Sequence, residues 1–146
     1  NAKQLLIISA NDFSNYHAIP LAAGDLYQGT AISNLTKGAP VSEFLKDIQI
    51  PASSIGNHEF DWKKDLIPNW AKEGNFDFLA ANIIDKNTGK PVTWAKPYKI
   101  IEVDGVKIGL IGVTTPETAF KTTPANVDDL IFEDPSIICS KFNLIS

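Results

Sequence analysis

Short apolar runs alternate with polar, glycine-rich breaks along this chain. Gln4 to Ser9 is a continuous apolar run with a polar end and predicts a buried strand. Ile19 to Ala23 is a second such run, stopped by Gly24-Asp25, and Ala52 to Ile55 is a third, stopped by Gly56. Between them, Pro40 to Ile48 places Val41, Phe44, Leu45 and Ile48 at i, i+3, i+4 and i+7, which predicts a short amphipathic helix with proline in its first turn. Trp62 to Gly74 predicts a second helix, with Leu66, Ile67, Trp70 and Ala71 on one side and Pro68 as an interruption. Phe76 to Ile84 predicts a strand. Lys99 to Val103 and Val106 to Val113 flank Asp104-Gly105, the strongest hairpin signal in the sequence.

The order strand, strand, helix, strand, helix, strand, hairpin predicts an α/β layer with parallel strands and some antiparallel pairing. Two features break this regularity. Only Asn11 to Ala18 joins the first two strands, and a crossover between parallel neighbours needs about a dozen residues. After Glu133-Asp134-Pro135, which has the form of a helix start, residues Ser136 to Ser146 show no amphipathic pattern. The expected organisation is a partial domain over residues 1–135 and a divergent tail over 136–146.

Composition narrows the function. Hydrophobic residues are 44% of the 146 and charged residues 21%, enough apolar surface for a core. The net charge is −4 and all 13 basic residues are lysine, so a nucleic-acid polymer is not an expected partner. The single cysteine, Cys139, excludes an intrachain disulfide. No run approaches the ~18 apolar residues of a membrane span. No signal peptide is visible at Asn1-Ala2-Lys3, which leaves a cytoplasmic protein or one whose signal was removed.

Candidate chemistry sits where the apolar runs end. Asn11-Asp12-Phe13, Gly24-Asp25 and Gly56-Asn57-His58-Glu59-Phe60-Asp61 each follow a predicted strand. In α/β sheets ligands gather at the carboxyl edges of strands. Parallel strands would therefore bring two carboxylates, an amide oxygen and an imidazole together. That donor mixture suits Zn, Mn, Fe or Mg and not a thiolate site. Each residue also has a plain structural reading: Asp25 as the cap of the following turn, His58 as a satisfied structural histidine, Asp12 as a loop aspartate, Asp61 as the cap of the helix near Trp62. Glu59 reads as structural support, and Tyr27, Phe60 and Trp62 as packing around the site.

Gly24-Asp25 followed by Gly56-Asn57-His58-Glu59 resembles the second and third signatures of the calcineurin-like metallophosphoesterases. The flanking AGDLYQGTAISNLTKGAPV, IGNHEFDW, NTGKPV, PYKIIEVDGVKIGLIGVTTPET and FEDP are similar to the 5′-nucleotidase family in particular, over roughly Leu5 to Pro135. The resemblance implies a metal-dependent phosphoric monoester hydrolase with two divalent ions, acting on a nucleotide or another small phosphate ester in nucleotide catabolism. It implies a periplasmic, secreted or cell-surface location. Asp25 then resembles the carboxylate bridging the ions, Asp12 a ligand of the first and Asn57 an amide ligand of the second. His58 resembles the catalytic histidine and Asp61 its carboxylate partner.

The sequence departs from that pattern. The first signature reads Asp12-Phe13-Ser14 where the family has Asp-x-His, and the stretch after it is short. His17, the other histidine, has the wrong spacing from Asp12 for that motif. Asp12, Asp25 and Asn57 are three donors for two metals, fewer than a catalytic pair needs. The resemblance implies a truncated, metallophosphoesterase-like layered α/β sandwich as one expectation; a degenerate, non-catalytic binding or interaction module that keeps the fold is the other.

Overall fold

A computed structural model describes residues 19–142 of the chain. The predicted first strand, Asp12, His17 and the whole of the short connection lie outside the described residues. Near Ala22 the chain runs parallel to the third apolar segment, accepting from the Ser54 amide at 3.2 Å and forming a parallel bridge to Ser53. Two helices follow, α1 (Ala31–Thr36) and α2 (Ala39–Asp47). β1 (Ala52–Ser54) leads into a single 3-10 turn, His58–Phe60, and then α3 (Leu66–Gly74). β2 (Asp77–Leu79), β3 (Ile83–Asp85) and β4 (Lys90–Pro91) are short. The hairpin is β5 (Tyr98–Val103) with β6 (Val106–Ile111), and α4 (Thr118–Lys121), β7 (Leu130–Phe132) and α5 (Pro135–Lys141) complete the order.

β1 and β2 pair in parallel with Ser53 opposite Phe78, so the Ala22 segment, β1 and β2 run the same way. β3 leaves that layer and pairs antiparallel with β4 on one side and β7 on the other. The apolar run from Phe76 to Ile84 is therefore not one strand. It breaks at residues 80–82, because Ala80 and Ala81 donate to Lys96 and Gly112 and the Asn82 side chain bonds across the break. The mixed α/β architecture matches the fold class expected from the pattern.

The hairpin closes as read. Val103 faces Val106, and the two turn residues have positive φ, 52° at Asp104 and 79° at Gly105. Both angles belong to the two-residue turn whose twist matches antiparallel strands. α3 begins at Leu66, four residues later than the pattern predicts, which puts Pro68 in the first turn where its missing N–H breaks no helical bond. α5 is a helix where an unpatterned tail was expected. The Asp134 carboxylate accepts from the Ser136 amide, Pro135 opens the turn, and Ile138 is buried. On α2 only Leu45 of the predicted stripe is buried; Phe44 and Ile48 are exposed.

The core lies between α2, α3 and the strands. Tyr27 stacks on Trp70 with ring centroids 4.1 Å apart, and its hydroxyl meets Ser42 Oγ at 3.1 Å. The Trp70 indole donates to Lys37 O at 2.7 Å, so both polar tips are satisfied. Phe60, Ile67, Phe78 and Ile83 are also buried. Each such side chain contributes about 1.5–3 kcal/mol of apolar transfer. This packing fixes the floor beneath the loops at the carboxyl ends of the Ala22 segment and β1.

Candidate catalytic and metal-binding site

The parallel run of the Ala22 segment and β1 carries Gly24-Asp25 and Gly56-Asn57-His58 to the same edge of the layer. There the two loops touch backbone to backbone. Gly24 has φ 87°, and a Cβ on it would fall on the Gly56 amide. A Cβ on Gly56 would lie 2.6 Å from the Asp25 amide nitrogen and 2.7 Å from its carboxyl carbon. Asp25 itself is left-handed, φ 56°, a conformation aspartate tolerates better than most residues. Gly56→Ala is therefore expected to force the loops apart by sterics alone, costing about 1–3 kcal/mol. A urea midpoint indistinguishable from wild type would contradict this close approach.

Glu59 holds the two loops together. It is wholly buried, and its Oε2 accepts from the amides of Asp25 at 2.8 Å and Gly56 at 2.7 Å, while Oε1 accepts from Leu26 at 2.7 Å. Burial pushes its carboxyl above the ordinary value, and the three amide hydrogen bonds oppose that rise. With both oxygens so engaged, Glu59 supports the site from beneath.

Above it, the Asp25 Oδ1 accepts from the His58 amide at 3.0 Å. This bond reaches across to the other loop rather than capping the turn after Asp25, and it fixes the carboxylate beside His58. The His58 Nδ1 lies 2.6 Å from Asp61 Oδ2. A carboxylate only accepts, so Nδ1 carries the proton and Nε2 is the ring atom left for other chemistry. The His58 side chain is 42% exposed and that of Asp61 23%. Asp61 does not cap α3, whose N-cap is Asp65; both of its oxygens are engaged at the site, the second by the Thr122 hydroxyl at 2.9 Å. Asn126 donates from its side chain to the carbonyls of Phe60 and Asp61.

A second brace lies behind the β1 loop. The buried Asn82 amide donates to the carbonyls of Thr114 and Glu133, both at 2.7 Å, and accepts from the Thr114 amide at 2.9 Å. The Thr114 hydroxyl donates to Ile55 O at 2.7 Å, one residue before Gly56. Thr114, Thr122, Asn126 and Asn82 had no signal in the sequence, since nothing local marks a contact of this range.

The structure thus brings Asp25, Asn57, His58 and Asp61 to one edge, and Asp12 lies outside the described residues. Among the described residues no group of three or more His, Cys, Asp and Glu is gathered to hold a metal. The donor chemistry fits a divalent ion in part. Asn57 is half-buried, and no hydrogen bond among the described residues engages its side-chain amide, so its oxygen and the Asp25 carboxylate are the oxygen donors this edge could offer. His58 and Glu59 are committed elsewhere.

No family model matches the chain. The 5′-nucleotidase of Bos taurus is 40% identical over 121 residues, 81% of this chain and 21% of that protein. The human 5′-nucleotidase is 38% identical over 117 residues, covering 78% and 20%. The snake venom 5′-nucleotidase of Crotalus adamanteus is 40% identical over 111 residues, covering 74% and 19%. Among solved structures, the 5′-nucleotidase precursor of Thermus thermophilus aligns with TM-score 0.74 and 29% identity over 84% of this chain and 24% of that one. The calcineurin-like phosphoesterase YfkN of Bacillus subtilis aligns with TM-score 0.73 and 21% identity, covering 84% and 42%. The fold is that of the calcineurin-like phosphoesterases. Within that fold, the chain belongs to the 5′-nucleotidase family over the matched four-fifths of its length. It spans about a fifth of the length of these curated relatives.

Proposed function

We propose that these residues belong to a metal-dependent phosphoric monoester hydrolase acting on nucleotides. The observation that carries this reading is the His58–Asp61 pair at 2.6 Å, with the His58 amide on the Asp25 carboxylate, at the edge that also holds Asn57. Asp25 would bridge two divalent ions, Asn57 would ligate the second, and Asp12 the first. When bound, such ions supply Lewis-acid stabilisation and an acidified water.

The chain's own residues account for the rest. Asp61 holds Nδ1–H and so fixes the ring tautomer. With the ring doubly protonated, Nε2–H would hand a proton to the leaving oxygen or donate a hydrogen bond to the phosphoryl group, while Nδ1–H stays on Asp61. A half-exposed ring can meet a small soluble ester without opening the fold. The substrate class is a nucleotide, supported by the names of the relatives. A location outside the cytoplasm is supported by the venom relative. Among the described residues no helix is long and apolar enough to cross a membrane.

Asp12, Asp25 and Asn57 are too few donors for two ions, and the described residues gather no larger set. The second reading is a binding module that keeps the fold without turnover. Phosphate release from a panel of nucleoside 5′-monophosphates, with manganese or zinc, separates the two. The full-length protein carrying these residues is expected to release phosphate only with metal, and the 146-residue chain by itself to release little. Robust release by the chain alone would overturn the shortage of donors. A metal-loaded full-length protein inactive on every ester would establish the binding module instead.

A further inference from the structure

We propose that Thr122 is a positioning residue for the His58–Asp61 pair, holding the Asp61 carboxylate in the orientation that presents Oδ2 to the imidazole. The role rests on the catalytic reading of His58 given above, but its geometry stands by itself. The Thr122 hydroxyl donates to Asp61 Oδ1 at 2.9 Å while Oδ2 faces His58 Nδ1 at 2.6 Å. The torsion that turns an aspartate carboxylate is broad, so one hydrogen bond alone leaves it free to swing. A partner on each oxygen removes that freedom. Threonine suits the task because its branched Cβ restricts χ1.

Burial gives the chain of contacts a direction. The His58 side chain is 42% exposed, that of Asp61 23%, and Thr122 only 9%. The polar line therefore runs from the solvent-facing imidazole inward to a nearly buried anchor. Thr122 follows α4 directly, in extended backbone with φ −122°. Four residues later Asn126 donates to the Phe60 carbonyl at 2.7 Å and the Asp61 carbonyl at 3.2 Å. One segment thus fixes both the main chain and the side chain of Asp61. No hydroxyl besides that of Thr122 donates to Asp61 among the described hydrogen bonds.

The test has a structural arm and a kinetic arm. At one fixed pH, nuclear magnetic resonance follows the His58 Nδ1 proton in wild type, Thr122→Val and Thr122→Ser; with only two histidines in the chain, assignment is direct. Wild type and Thr122→Ser are expected to show a slowly exchanging, hydrogen-bonded ring proton that Thr122→Val loses. In the full-length protein, Thr122→Val is expected to lower kcat about 10–100-fold with KM unchanged, and Thr122→Ser to restore it. A ring proton unchanged in Thr122→Val, or a serine variant no better than valine, would overturn the proposal. If the valine variant does not fold, the wild-type hydroxyl proton of Thr122 decides: protection from exchange supports the anchor, and exchange at the solvent rate overturns it. Wild type without phosphate release would overturn the catalytic reading of His58, and the ring-proton result would still decide the role of Thr122.

Discussion

Glu59→Ala is expected to destabilise the fold by about 3 kcal/mol or more, a large share of the roughly 5–15 kcal/mol that holds a domain together. The side chain is wholly buried and accepts from three backbone amides, those of Asp25, Leu26 and Gly56. Removing it leaves three donors facing one another without an acceptor. Each charge-assisted bond of this kind is worth about 1.5–3 kcal/mol, offset in part by the cost of burying the carboxylate. Burial is the source of that offset, and it pushes the Glu59 carboxyl above its ordinary value. Breaking a satisfied buried group nevertheless costs more than never having built it. Glu59→Gln is the sharper variant, since its shape is nearly unchanged. Its amide oxygen can keep the two bonds of Oε2, but its NH₂ then meets the Leu26 amide, donor against donor. A loss of about 1–3 kcal/mol is expected in urea denaturation. A glutamine variant within about 0.5 kcal/mol of wild type would show that the carboxylate does not clamp the loops.

In the full-length protein, His58→Ala and Asp25→Ala are expected to fail in different ways. His58 is held by Asp61 and stands outside the expected metal shell. Its loss should lower phosphate release about 10²–10⁴-fold while bound metal stays near the wild-type level. Asp25 would serve two ions, and its Oδ1 also receives the His58 amide at 3.0 Å. Asp25→Ala should therefore lose both turnover and metal. The readouts are kcat on a nucleoside monophosphate and metal content of the purified protein by elemental analysis. Equal loss of metal in both variants would make His58 a ligand and remove it from proton transfer.

Much of this edge was legible before any coordinate. Gly24-Asp25 and Gly56-Asn57-His58-Glu59 end apolar runs, and a run that ends in glycine and a carboxylate marks a loop at a strand terminus. The Asp104-Gly105 turn was equally legible, because two adjacent positive φ values need that residue pair. Other elements carried no local mark. α1 has only six residues and depends on the Thr30 side chain, which accepts from Ser33, and on Lys37 in a left-handed conformation. Neither device leaves a periodic trace. The apolar run from Phe76 to Ile84 cannot reveal that Asn82 satisfies its amide across two other chain segments and so splits the run between two sheets. The same holds for Thr122 and Asp61, which are 61 residues apart and joined only by the fold. Glu59 was legible as structural support. Its three amide partners were not, because two of them come from the other loop.

Zinc or manganese anomalous diffraction from crystals of the full-length protein locates the ions themselves. Peaks are expected within about 2.0–2.2 Å of an Asp25 carboxylate oxygen, one of them also beside Asn57 Oδ1, with the His58 ring outside both coordination shells and still paired with Asp61. A peak ligated by His58 or Glu59, or strong peaks that leave Asp25 and Asn57 without metal, would contradict a metal edge built on these two residues.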